Sequence, residues 1–315
     1  MLGNQLISFC VFRYMRRFYK FGYELVALVV VFMLVGAARA QDIDQHRFIS
    51  GFGKDTNPCI LAAPCRTFQR AVSTAPGGGI IVVLDSAEYG EFTVDHAVSI
   101  QASPGVYAGI LVENQDGVTI AAGSQDRVVL RGLTIHGGRG AASRVGINFR
   151  TGGALYIEQC RINGNFLLIR GISTGTNAGT LFVHDTTVRE SVAGIIIAGR
   201  RALIDSSNFE DNAGDGFGTE SGNSIATVIN SVSAGNSAGF VSEGELNLEH
   251  CVATNNNDVG VQAGTDAIAR VSNSVIVDNQ IGLSAPTNGQ LLSRGNNTIE
   301  GNVSNGAFTG TFLAK

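Results

Sequence analysis

The chain has 315 residues, with 22 basic and 26 acidic side chains, a net charge of −4, 41 glycines, five prolines and no tryptophan. Charged residues are sparse at 15% and acidic on balance, which argues against a nucleic-acid partner, because phosphate neutralisation needs clustered Lys and Arg. Many glycines with few prolines suit tight turns stacked in register, where Gly takes positive φ at no steric cost.

Residues 1–40 read as a signal peptide. Arg13, Arg16, Arg17 and Lys20 form a basic flank, Leu25 to Ala38 is nearly all apolar, and Ala38-Arg39-Ala40 gives an A-x-A cleavage site before Gln41. The apolar run falls short of the roughly 20 residues that a membrane span needs, so no span is expected in the mature form. Met15 as the true start, and Sec or twin-arginine export through Arg16-Arg17, stay open. Without the leader, 17 basic and 25 acidic residues remain, a net of −8, which favours a soluble monomer exported to the periplasm, cell surface or medium.

Residues 41–79 read as an N-terminal cap. Phe68, Ala71, Val72 and Ala75 recur at helical spacing, Thr67 suits an N-cap, and Pro76-Gly77 ends the helix. Such a helix can cover the open apolar end of a stacked fold. Cys59 and Cys65 bracket five residues. In a chain bound for an oxidising compartment they are expected to form a disulfide.

From residue 80 to 315 the sequence repeats. NSVSAGN ends at Asn236, HCVATNN at Asn256, NSVIVDN at Asn279 and NNTIEGN at Asn302, at intervals of 20, 23 and 23 residues. Earlier versions end at Asn165 and Asn212, and a glycine phrase recurs between them at Gly146, Gly171, Gly194, Gly216, Gly239, Gly260 and Gly282. Short β-branched runs broken by Gly, Asn, Asp and Ser, with no helical period, predict three strands per turn. A unit that cannot bury its apolar face alone must stack. The fold class is all-β, a single-stranded right-handed parallel β-helix with a short capping helix.

Aligned phrases give columns. Leu130, Ile157, Val183, Ile204, Val228, Leu248 and Val271 form an inward aliphatic stack. A small inward column holds Leu133, Cys160, Thr186, Ser207, Ser231, Cys251, Ser274 and Asn297. Its two cysteines lie four rungs apart, about 19 Å at 4.8 Å per rung, so they are free thiols. The asparagines that end each phrase are expected to pass amide hydrogen bonds from rung to rung and to take αL turn geometry.

The phrase D-x-N-P, then P-x-[KR]-T-[FI]-x-x-A-V, a Gly-rich turn, IxVLD and a Y-G, resembles the N-terminal cap of pectin-lyase-like β-helix proteins. With Cys59 and Cys65 inside it, the chain is most similar to exported bacterial right-handed β-helix repeat proteins with no settled activity, over about residues 50–305. That superfamily holds lyases, hydrolases, epimerases, adhesins and inert scaffolds, so the resemblance implies the fold and not an activity.

Chemistry is sought among outward positions. Beside the aliphatic stack run Arg131, Glu158, His184 and Asp205, continuing to Ile229, Glu249 and Ser272. A second outward column, on the same sheet or its edge, holds His136, Asn163, Arg189 and Glu210, with Arg161 between the two. Glu158, His184 and Asp205 are the candidate catalytic residues, a carboxylate pair with a base between them. Arg131, Arg161 and Arg189 are the candidate substrate-binding cations. The competing reading is a solvated polar face. The tandem Asp and Gly-His-Gly signatures of polygalacturonase-like relatives are missing. No metal motif or cofactor motif occurs, and calcium has no repeat to hold it. Insertions are small, and Tyr89, Tyr107 and Tyr156 are the only mature tyrosines. The favoured function is a non-catalytic exported β-helix binding glycan or another envelope component. The alternative is a polysaccharide lyase, epimerase or hydrolase acting on an acidic polysaccharide.

Overall fold

The computed structural model describes residues 45–138, 144–164, 170–199, 201–220 and 222–313. The signal peptide expected at 1–40 and Asn165 lie outside the described residues. Among those described, no helix is long and apolar enough to cross a membrane.

From Gly79 the chain winds as a parallel β-helix. Each turn contributes one strand to each of three parallel sheets, and all the pairings carry parallel register. Sheet 1 contains Val98–Ala102, Arg127–Arg131, Ala178–His184 and Arg201–Asp205. Sheet 2 is ten-stranded and made of short strands such as Leu133–Gly137 and Arg161–Asn163. Sheet 3 contains the strands that follow the glycine phrase, such as Asp215–Thr219 and Ala238–Ser242. Strand Val145–Glu158 runs from sheet 3 into sheet 1 without a break.

The period-2 pattern fills the interior. Leu130, Ile157, Val183, Ile204, Val228, Leu248 and Val271 are paired in one register and buried, as the alignment predicts. Sheet 3 faces them with Ile147, Ile172, Ile195, Phe217, Phe240, Val261 and Leu283, also buried. Each such side chain contributes roughly 1.5–3 kcal/mol on leaving water.

Two polar ladders join the rungs at the corners. Between sheets 2 and 3, Asn212 Oδ1 accepts from Ser191 N–H, and from Asn236 onward each asparagine Oδ1 accepts from the backbone N–H and from the Nδ2 of the asparagine one rung earlier. The Nδ2 to Oδ1 distances from Asn212 through Asn302 are 2.8, 3.2, 2.8 and 2.9 Å. The αL residue is not the asparagine, as the sequence reading had it, but the residue before it: Asp211, Gly235, Asn255, Asp278 and Gly301. The asparagine turns inward after that kink, where its amide has no water to bond and must find protein partners. The glycine phrase is explained by the same ladder. A Cβ on Gly216, Gly239, Gly260 or Gly282 would lie 2.7 to 2.9 Å from a ladder Nδ2.

Between sheets 1 and 2 the small column forms the second ladder. The Cys160 N–H donates to Thr186 Oγ1, Thr186 N–H to Ser207 Oγ, and Ser207 N–H to Ser231 Oγ, at 3.3, 3.3 and 3.1 Å. Cys160 and Cys251 are free and buried, and their thiols occupy hydroxyl positions of this ladder. Burial pushes Cys160 up to about 12 and Cys251 up to about 11.

The N-terminal cap follows from its motif. Helix Phe68–Thr74 buries Phe68, Ala71 and Val72, and the Thr67 hydroxyl accepts from Arg70 N–H. Asp55 accepts from the Arg66 and Thr67 amides and from the Thr67 hydroxyl, at 2.8, 3.0 and 2.9 Å. Phe68 packs against Phe92 and Tyr89, closing the end of the core. Asp85 accepts from Ser50, Gly51 and Tyr89. Burial alone would raise its carboxyl, but these bonds outweigh it and hold Asp85 below the ordinary carboxylate value. Cys59 and Cys65 form the expected disulfide.

Candidate functional site

Outward positions of sheet 1 bring part of the expected strip together. Arg131, Glu158, His184, Asp205, Ile229, Glu249 and Ser272 are successive partners in register. Their side chains pair locally. Arg131 Nε donates to Glu158 Oε2 at 2.7 Å, and His184 Nδ1 lies 3.1 Å from Asp205 Oδ2. Asp205 also accepts from Asn230 Nδ2 and the Ser206 hydroxyl, both at 3.0 Å. Glu249 accepts from Ser272 and Asn273 and faces Arg294.

The other half of the strip is elsewhere. His136, Asn163, Arg189 and Glu210 are in register with one another, but on sheet 2, around a corner from sheet 1. Arg161 is also on sheet 2, paired with Thr134 and Thr187. The αL residue Gln159 turns the chain between Glu158 and Arg161, so their side chains leave from different faces. Arg161 and Arg189 therefore do not join Arg131, and the single strip becomes two faces.

The geometry of Glu158, His184 and Asp205 suits a polar ladder better than a carboxylate pair. Glu158 and Asp205 are two rungs apart, about 10 Å along the sheet, and each is satisfied by its own partner. A general acid needs a raised carboxyl. Asp205 is lowered, first by the Asn230 hydrogen bond, with Ser206 and His184 adding to it.

Near the N-terminal end of the same face is a shallow pocket of about 360 Å³ bordered by Ser99, Gln101, Arg127, Val129, Arg131 and Glu158. Arg127, Val129 and Arg131 alternate along one strand and so share its outer face. Beside the pocket, the Arg127 guanidinium stacks over Tyr156 at 4.1 Å, and the Tyr156 ring stacks on Phe182 at 4.5 Å and 8°. This stack was missed. The alignment that produced Glu158 and His184 also contains Tyr156 and Phe182, two residues upstream, whereas Arg127 pairs with Ala154, two residues further up the strand.

Sheet 3 holds a second missed residue. Asp215 starts a strand whose other four residues are buried. Burial raises its carboxyl, and the nearby charges of Glu243 and Glu220 add to the shift. The available signal was an acid at the head of DGFGT, a strand otherwise free of charge.

Residues 170–312 match the family model described as "Right handed beta helix region". The chain is thus a right-handed parallel β-helix, the hand that parallel crossovers strongly prefer. Among solved structures it is similar to one titled "Crystal structure of pectate lyase Pel9A", at 17% identity and a TM-score of 0.48, covering 79% of this chain and 68% of that one. No curated protein matches the sequence.

Proposed function

We propose that this is an exported, non-catalytic β-helix that binds a glycan chain along the outer face of sheet 1, anchored at the pocket between Arg127 and Arg131. The observation that carries this reading is the pocket itself. Guanidinium, amide, hydroxyl and carboxylate groups border it on a flat strand face, with Val129 between the two arginines. Such a mixture of fixed donors and acceptors beside an apolar patch suits a polyhydroxylated ligand. Export is supported by the leader sequence and by the Cys59–Cys65 disulfide.

Affinity electrophoresis of the purified protein against acidic and neutral polysaccharides tests the proposal. Retardation by at least one polymer, weakened by Arg127→Ala and by Gln101→Ala without formation of cleaved product, is expected. Failure to bind any polymer, or binding indifferent to both changes, overturns it.

The enzymatic alternative is a lyase, epimerase or hydrolase acting on an acidic polysaccharide, and one observation favours it. Its support comes from Asp215, since a carboxyl raised by burial suits proton donation near neutral pH. Product release from a uronate polymer that disappears in Asp215→Asn would favour this reading over the first.

A further inference from the structure

Sheet 2 carries a convergence of three chemically different donors. Tyr107 Oη lies 2.5 Å from Glu88 Oε1 and 3.0 Å from His136 Nε2, and that same nitrogen lies 2.9 Å from Glu88 Oε1. Gly109 makes the triangle possible. A Cβ there would sit 2.5 Å from Glu88 Oε1 and 2.6 Å from the Tyr107 ring. The second Glu88 oxygen, Oε2, is buried and has no hydrogen-bond partner among the described residues. A buried acceptor left without a donor calls for a missing partner.

We propose that Glu88, Tyr107 and His136 form a binding site for a divalent transition-metal ion. A cation about 2.0–2.2 Å from oxygen and nitrogen ligands brings neighbouring donors to separations near 3 Å, which is the triangle already present. Imidazole and anionic oxygen donors together suit copper, zinc, nickel or iron, whereas magnesium and calcium favour all-oxygen sets. The charges also balance: a carboxylate, a phenolate and a neutral imidazole together cancel a 2+ ion. In the absence of an ion the Tyr107 hydroxyl donates its proton to Glu88 Oε1. Metal binding therefore breaks the Tyr107 O–H bond, forms a phenolate–metal bond and releases one proton to solvent. Glu88 Oε2 gains a partner if the carboxylate turns bidentate. Tyr107 is 40% exposed, so the ion has a path from solvent and water can fill the remaining coordination positions.

The test is titration of the chelator-treated protein with Cu2+ and separately with Zn2+, followed by calorimetry and visible absorption. One equivalent should bind, with a phenolate-to-copper charge-transfer band. Loss of a supporting residue around a metal weakens it by roughly 10–100-fold, so Glu88→Gln, Tyr107→Phe and His136→Ala should each weaken it at least that much. Tyr107→Phe should also abolish the band, and Gly109→Ala should block the site by filling the space between Glu88 and Tyr107. Circular dichroism identifies any variant that fails to fold, and the three ligand substitutions are independent of one another. No saturable binding, or binding that survives both Tyr107→Phe and His136→Ala, overturns the proposal and leaves a hydrogen-bonded cluster only.

Discussion

Asn256 offers the sharpest test of the asparagine ladder. Its Oδ1 accepts from Asn236 N–H at 3.1 Å and from Asn236 Nδ2 at 3.2 Å, while its Nδ2 donates to Asn279 Oδ1 at 2.8 Å and to Ser233 O at 3.2 Å. In Asn256→Ala the backbone N–H of Asn236, a residue with no exposed surface, loses its acceptor. Such an orphaned donor costs about 1–3 kcal/mol. The other three bonds contribute about 0.5–1.5 kcal/mol each, although the Asn236 amide keeps Phe209 O and the Ser233 hydroxyl as acceptors. Together the expected loss is about 3–5 kcal/mol, large for a single substitution. Asn302 makes the same bonds to Asn279 but sits half-buried at the end of the ladder. There water can replace the lost acceptor, and Asn302→Ala should cost about 1 kcal/mol. Urea unfolding followed by circular dichroism reads the difference as midpoint shifts at constant slope. A split transition in Asn256→Ala would mean that rungs on either side unfold separately, as nearest-neighbour coupling permits. Equal losses at the two positions, or a loss under about 1 kcal/mol at Asn256, would refute the claim that the buried ladder holds the rungs together.

Other consequences can be checked directly. Denatured without reductant, residues 41–315 should offer Cys160 and Cys251 to alkylation and withhold Cys59 and Cys65; four reactive thiols would remove the bridge. Replacing both bridge cysteines by Ser should cost about 2 kcal/mol by loop-closure entropy, seen as a lower melting temperature. Since the folded state raises the Cys251 thiol from 9.0 to about 11, the unfolded chain loses its proton first. Stability is then fully present below about pH 9 and falls as pH rises towards 11. Cys251→Ser, the residue used at neighbouring rungs, should lessen that fall without disturbing the fold, and the raised Cys160 thiol should account for part of what remains. On the outer face of sheet 1, His184 is 57% exposed, so His184→Ala should change stability by less than about 0.5 kcal/mol; a larger loss in denaturant titration would give it a structural role.

Much of the scaffold was legible because the interior of a β-helix repeats its constraint at every rung. An inward position next to Val183 and Val228 admits only an aliphatic side chain, so Ile204 and Leu248 announce the same column. The asparagine phrase was legible for a similar reason, since a lost ladder amide leaves a buried donor unpaired. Two details were not legible. The αL conformation sits at Asp211, Asn255 and Asp278 and not on the following asparagines, and both residue types tolerate that region, so composition could not decide between them. The corner at Gln159 moved Arg161 to another sheet, and a one-residue kink leaves no trace in a hydrophobic pattern.

Outward positions behave differently, because water satisfies almost any polar side chain there and the sequence is not forced to repeat. Arg131, Glu158, His184 and Asp205 could be placed in register from the alignment, but their pairing into Arg131–Glu158 and His184–Asp205 depends on side-chain directions that no alignment contains. Glu88, Tyr107 and His136 show the limit more plainly. They are separated by 19 and 29 residues, unequal intervals from the less regular early rungs. Tyr107 lies just before its strand, and Glu88 pairs in register with Gly109, not with Tyr107. No column contains the three. What brings them together is an absence, the missing side chain at Gly109, over which a carboxylate and a phenol can meet an imidazole from the next rung.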